Sequence, residues 1–420
     1  MTGRLNSKKS NFLIFICWAA YTSSYVARLN YNASMVEILA QLDTTKELAG
    51  SVSAFFFFAY GAGQLINGLL CKKYNTKYSV AIALVASCII NFAMTFCKEI
   101  HAMKYLWLAN GIFQSILWSS LIKTLSDNLA DSKLSKAIMA MSTTVASGTF
   151  AAYGLAALFS YLKMRWTCIF YVASALVGAV AVLWFVGMSV LQKDTKTSAV
   201  SSGQTTNKLS VTPALVVSFG VIFVSAIANG FIKDGITTWV PSILKEEFGV
   251  SASLSIIVTL LLPVLSIFGT SLVAALRKKQ KDENALNGLF YFAAVILAAL
   301  IILTLRLKSV PLTLALFGGI ACLMAAVNNV ITSVVPLYAR DKIDAGLSAG
   351  LLNTFCYIGS TLSTALLGKI ADAKGWNDVF ICILILMVFA FAVCCISVIL
   401  KKKKAGKSLI TNGGNYDAAL

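Results

Sequence analysis

The chain has 420 residues, of which 58% are apolar and only 12% charged, and its mean hydropathy is +0.80. A water-soluble domain of that size needs far more charge to cover its surface, so a soluble enzyme or binding module is excluded. The formal net charge of +18 would suggest a nucleic-acid partner in a soluble protein. Here the cations sit between apolar stretches of about 20 residues, the length that crosses a bilayer, so the lipid bilayer is the expected partner and nucleic acid is not.

Twelve spans follow in chain order: 11–38, 48–70, 77–97, 103–127, 135–162, 166–190, 211–241, 250–276, 285–305, 310–337, 345–372 and 377–400. Basic residues before the apolar run from Asn11 imitate a signal peptide. The run continues through Tyr21, Tyr25 and Arg28 with no cleavage pattern, so it reads as the first span. Tyr21, Tyr25 and Arg28 are related by i, i+4 and i+7 and share one helix face. Tyr60 and Gln64 form an i, i+4 pair in the second span, and Gln114 and Trp118 do so in the fourth. The segment 193–210 is rich in Ser, Thr and Lys, has no apolar periodicity, and reads as a cytoplasmic linker. In the seventh span Asn229 precedes Lys233 by four; Asn328 and Asn329 sit in the tenth, and Asn353 precedes Tyr357 by four in the eleventh. Each pair alone is more often helix–helix glue than ligand contact, and Gly61, Gly63, Gly68, Gly346 and Gly350 read as close-packing residues. The expected organisation is a six-helix bundle over 1–192, the linker, a second six-helix bundle over 211–404, and a disordered cytoplasmic tail over 405–420.

Lys and Arg distribute unevenly among the loops. Twenty-two fall on one side: Arg4, Lys8, Lys9, Lys72, Lys73, Lys77, Lys133, Lys136, Lys193, Lys196, Lys208, Arg277, Lys278, Lys279, Lys281, Arg340, Lys342, Lys401 to Lys404 and Lys407. Ten fall on the other: Lys46, Lys98, Lys104, Lys163, Arg165, Lys245, Arg306, Lys308, Lys369 and Lys374. The positive-inside bias then puts both termini in the cytoplasm.

Arg28, Lys123 and Lys233 remain, inside spans. A charge in mid-bilayer costs roughly 2.5–3.5 kcal/mol on insertion scales, so a protein keeps one only where water, a partner or a ligand solvates it. Arg28 and Lys233 lie in the first and seventh spans, the opening helices of the two halves, where they face one another about a pseudo-two-fold axis. Both are expected to stand without a built-in counter-charge. Asp234 is the one adjacent carboxylate, and neighbouring helix positions point roughly 100° apart. Lys123, near a span end, reads as gate or loop structure. The ten cysteines are scattered through apolar spans, and neither a disulfide nor a metal site is expected. With no nucleophile–base pair and no Gly-rich phosphate loop, the chain is not expected to be an enzyme or to need a cofactor.

Five stretches make the chain recognisable: YTSSYVARLNY (21–31), FAYGAGQLINGLL (58–70), NGIFQSILWSSLIKT (110–124), KDGITTWVPSIL (233–244) and AGLSAGLLNTFCYIGS (345–360). They resemble the organophosphate:phosphate antiporter family of the major facilitator superfamily, along the whole chain. The resemblance implies an all-α membrane protein with the major facilitator fold, twelve transmembrane helices in two pseudo-symmetric six-helix bundles. It implies that Arg28 and Lys233 clamp a phosphate, with Tyr21, Tyr25, Tyr60, Gln114, Trp118 and Tyr357 in or beside the pocket. Gln64, Asn229, Asn328, Asn329 and Asn353 complete the candidate lining.

Three departures bear on the substrate. Lys233 stands where the family has Arg, Gln64 where the glycerol-phosphate member has a pocket Lys, and the fifth-span His of that member is missing, the single His being His101. The expected function is a secondary transporter of a small organic anion, a phosphorylated metabolite, exchanged for a counter-transported anion such as inorganic phosphate. It would act as a monomer in the bacterial inner membrane. Proton symport of a sulfonate or carboxylate, and sensing of an external sugar phosphate, are the alternatives.

Overall fold

The computed structural model describes residues 7–70, 74–193, 213–336 and 345–413, and every regular element within them is helical. Residues 194–210 of the expected linker lie outside the described residues. In the first half the helices are α1 (Ser7–Ala33), α2 (Met35–Leu42), α3 (Lys46–Leu70), α4 (Thr76–Met94), α5 (Ile100–Gln114), α6 (Leu117–Asn128), α7 (Asp131–Ser142), α8 (Thr144–Tyr161) and α9 (Thr167–Lys193). The second half holds α10 (Pro213–Phe248), α11 (Ala252–Val258), α12 (Leu261–Leu276), α13 (Glu283–Leu307), α14 (Val310–Asn329) with a π-helical turn at Val330–Val334, α15 (Ala345–Lys374) and α16 (Trp376–Gly413). The last helix continues through residues 405–413, which were expected to be irregular.

These helices group into the twelve expected passages, several of them broken. Among the described residues, nine stretches are long and apolar enough to cross a bilayer by themselves. The fourth, fifth and eleventh passages are not among these nine; the fourth and fifth are each divided in two, at Ser115–Ile116 and at Thr143. Hydroxyls turn back onto the helix at both breaks: Ser115 Oγ donates to the Ile112 carbonyl at 2.6 Å and Thr143 Oγ1 to that of Ala140 at 2.8 Å. Such bonds compete with the helical ladder and bend it. Thr143 also accepts from Trp18 Nε1 at 2.9 Å, which ties the break to α1.

The two halves repeat one packing scheme. In the first, α1 packs on α8, α3 on α5, and α4 on α9; in the second, α10 packs on α15, α12 on α14, and α13 on α16. Across the halves α3 lies along α15, and α8 meets α11. Lipid gives helices no hydrophobic reason to associate, so close backbone approach through small residues does that work. A Cβ at Gly230 would strike the Cys356 carbonyl, and one at Gly359 the Ile227 carbonyl, so α10 and α15 touch backbone to backbone. Gly61 admits the Tyr357 side chain, and Gly63 lies against Ser115. Gly68 and Gly350 differ from the expectation, since a Cβ on either would meet no atom of the described residues within 4 Å.

At the end away from the chain termini the halves are latched. Lys46 Nζ of α3 lies 3.2 Å from Glu246 and 3.5 Å from Asp372. Asp372 also accepts the Glu47 backbone N–H at 2.9 Å, so a carboxylate of α15 satisfies an orphan donor in the first turn of α3. Lys369 pairs with Glu47 at 3.4 Å. Part-exposed pairs of this kind each contribute little net stability.

Two expectations follow. Gly359→Val forces α10 and α15 apart and should cost about 1–3 kcal/mol, read as a lower thermal unfolding midpoint in detergent; an unchanged midpoint would contradict the backbone contact. Asp282, just before α13, bonds the Ala285 N–H at 2.9 Å and Lys401 Nζ at 2.7 Å. Burial raises its pKa, but Lys401 and the capped N–H outweigh that and hold it below the usual carboxylate value. A depressed carboxylate stabilises the fold above its unfolded pKa of about 3.9, and that share is lost as pH falls through the folded value. Asp282→Asn should therefore lose less stability than the parent between about pH 5 and about pH 3.

Candidate functional site

Arg28 projects from the last third of α1 into a cluster of aromatic rings. Its Cζ sits 3.7 Å from the Tyr25 ring centroid and 5.0 Å from that of Tyr60. Tyr21 stands edge-on to Tyr25 at 5.2 Å and 4.9 Å from the Trp118 ring, and its hydroxyl is 3.4 Å from that of Tyr60. Tyr357, from the other half, meets Tyr60 edge-on at 5.0 Å. The helical spacing thus brings five predicted aromatic residues and Arg28 together. Stacking on ring faces is worth about 2 kcal/mol to a desolvated guanidinium, less than the several kcal/mol that burying an ion costs. Among the described residues no carboxylate lies within ion-pair distance of Arg28.

The first half holds Arg28 in place from behind. The Ala27 carbonyl accepts Asn91 Nδ2 at 3.1 Å and Asn110 Nδ2 at 3.0 Å. Asn30 donates to Asn91 at 2.8 Å, and Ser87 to Asn110 at 2.7 Å. Gln114 completes this buried network, donating to Ser87 at 3.0 Å and to Asn110 at 3.2 Å. Bonds from α4 and α5 to the residue just before Arg28 fix the azimuth of α1 and so aim the guanidinium. Gln114 is 1% exposed in this network, while its Oε1 is buried with no partner among the described residues, and the resemblance implies a place in or beside the pocket. Its neighbours Asn91 and Asn110 escaped the sequence reading, yet Asn110 precedes Gln114 by the same i, i+4 spacing used elsewhere.

Lys233 departs from expectation. Its Nζ lies 3.4 Å from Asp234 Oδ1, and Ser360 Oγ of α15 donates to Asp234 Oδ2 at 2.5 Å. Adjacent helix positions do diverge, but the four-carbon lysine stem is long enough to bend back. The pair is only partly buried, with the lysine side chain 36% and the aspartate 19% exposed. The second half therefore presents a lysine with a counter-charge, not a bare cation. Ser360 lies seven residues after Asn353 and three after Tyr357, on the face already singled out in α15, and that periodicity could have flagged it. Tyr357, which meets Tyr60 beside Arg28, stands three residues before Ser360, which bonds Asp234, so one face of α15 borders both charged groups.

The remaining amides mostly face one another. Asn353 Nδ2 donates to Gln64 Oε1, bridging the halves. Asn229 Nδ2 donates to Asn328 Oδ1 at 3.2 Å, while Asn229 Oδ1 is buried with no partner among the described residues. Asn329 is half-buried and immediately precedes the π-helical turn, an irregularity often found at functional sites.

A family model described as Major Facilitator Superfamily matches residues 17–343. The chain is 24% identical over 416 residues to a glycerol-3-phosphate transporter of Bacillus subtilis, covering 90% of each protein. A shorter stretch of 108 residues is 30% identical to the membrane sensor protein UhpC of Escherichia coli, and spans 26% of this chain but only 24% of that protein. Among solved structures, a bacterial homologue of the human lysosomal transporter Spinster, inward-facing and occupied, superposes with a TM-score of 0.75. That match covers 94% of this chain and 98% of that one at 14% identity, a likeness of fold alone.

The polar network behind Arg28 carries its own prediction. Gln114→Ala deprives Ser87 and Asn110 of a buried partner and should cost roughly 1–3 kcal/mol. Thermal unfolding of the purified variant should show the loss, and an unaltered midpoint would return Gln114 to the pocket lining.

Proposed function

The chain belongs to the Major Facilitator Superfamily, and from that membership and the site we propose that it is a secondary active transporter of a small organic anion. A phosphorylated metabolite is the preferred cargo, carried across the bacterial inner membrane by alternating access and exchanged for inorganic phosphate. The observation that carries this reading is Arg28, a permanent cation inside the first span with aromatic faces around it and no acidic partner among the described residues. An anion entering between the halves would supply the missing charge, with Lys233 reaching it from α10. Similarity to a glycerol-3-phosphate transporter along nine tenths of both chains supports phosphate esters as the class.

The neutral pairing of Lys233 with Asp234 weakens the two-cation clamp and leaves Arg28 as the principal anchor. Ligand binding there would draw the halves together, and the loosely held latch around Lys46 would yield as access switches. The loop charge bias supports cytoplasmic termini, and closure of all site residues within one chain supports a monomer. The local likeness to a membrane sensor favours a second reading, in which the same pocket reports an external sugar phosphate without carrying it.

A ligand at one hundred times its Kd stabilises a protein by about 2.7 kcal/mol. A thermal-shift screen of phosphorylated sugars, glycerol phosphates, sulfonates and inorganic phosphate should find such a ligand, and Arg28→Ala should abolish its effect without lowering the unliganded midpoint. A preserved shift would remove Arg28 from the site. In vesicles, uptake should require a preloaded internal anion. Uptake into empty vesicles that collapses with the proton gradient would reject exchange, and binding with no flux would select the sensor reading.

A further inference from the structure

Among the described residues, the charged groups gathered around the site are Arg28, Lys233 and Asp234. Counting them gives one net positive charge, not two. The carboxylate is a fixed part of the site, held between Lys233 Nζ at 3.4 Å and the Ser360 hydroxyl at 2.5 Å. The other titratable groups that face it are the Tyr153 phenol from α8 and Cys356 and Tyr357 from α15, with Tyr25 and Arg28 of α1 beyond Lys233. Of these only Arg28 and Lys233 carry charge near neutral pH. The Tyr153 hydroxyl is buried with no partner among the described residues.

Surplus charge is costly in a cavity that closes and loses its water, because the low dielectric no longer screens it. One negative charge brought by the ligand makes the closed site neutral, whereas two leave it with an unpaired negative charge. Resting on the carrier reading of this same site, we propose that Asp234 sets the charge of the cargo, so that the site accepts a monoanion: a sulfate or sulfonate ester, or a phosphate ester carrying one proton. A phosphate ester then crosses with one proton more than its dianion holds, taken up from water on the side of binding and released on the other, with no bond made or broken besides that O–H bond. Asp234 is a specificity determinant by this reading, acting through total charge and through its grip on Lys233.

The test compares matched probes on the purified full chain: hexose 6-phosphate against hexose 6-sulfate, and glycerol 3-phosphate against glycerol 3-sulfate. The phosphate esters lose their second proton with a pKa of about 6, and the sulfate esters stay monoanionic. Apparent affinity for the responding phosphate ester should fall about tenfold for each pH unit above that value, while its sulfate counterpart stays level. In Asp234→Asn the net charge rises to two. The fall with pH should then vanish, and the phosphate ester should bind better than the sulfate at about pH 8. The wild-type comparison stands alone should D234N fail to fold: a phosphate ester whose affinity does not drop as it becomes a dianion overturns the proposal. A drop that persists unchanged in D234N overturns the role of Asp234. Silence of the wild-type chain toward every probe overturns the anion-carrier reading itself, a different result from either.

Discussion

A guanidinium with no acidic partner among the described residues governs how this protein is built. Arg28 cannot shed its proton, and aromatic faces stand beside it. Ring quadrupoles recover part of the solvation it lost and leave the rest to water or a guest. The surrounding elements are consistent with keeping that site available. Two asparagines hold the preceding carbonyl, four helices contribute the rings, and the acid nearest the cavity is tied to Lys233 and Ser360 instead.

The scaffold supplies precision without a hydrophobic driving force. Helices α10 and α15 meet through glycines placed opposite carbonyls, and α3 meets α15 in the same manner at Gly50 and Gly368. Backbone contact of this kind is unforgiving of volume, so it fixes geometry inside a half and along the seam between halves. The seam itself ends in ion pairs and a borrowed helix cap at Lys46, Glu47, Glu246 and Asp372. The seam between the halves thus joins close glycine contacts along α3 and α15 to part-exposed ion pairs at one end.

Much of the site was legible beforehand, and the failures share one cause. Tyr21, Tyr25 and Arg28 were found by spacing because residues on one face of one helix have no alternative but to be neighbours. Gln114 looked equivalent by the same spacing yet turns into the bundle, since periodicity states that residues share a face and not what that face meets. Gln64 and Asn353 were each taken as lining, and they satisfy one another across the halves. Lys233 seemed bare because local geometry separates it from Asp234. The pairing depends on Ser360 from another helix holding the carboxylate where the lysine can bend to it.

Composition, span length and loop charge by themselves determined that this is a twelve-passage membrane protein with cations stranded inside it, because the bilayer penalises every alternative placement of those residues. The helix breaks, the partner of each amide and the net charge of the cavity were decided by tertiary structure alone. Each depends on which side chains of distant spans arrive within about 3 Å of one another, and no spacing along a single helix encodes that distance.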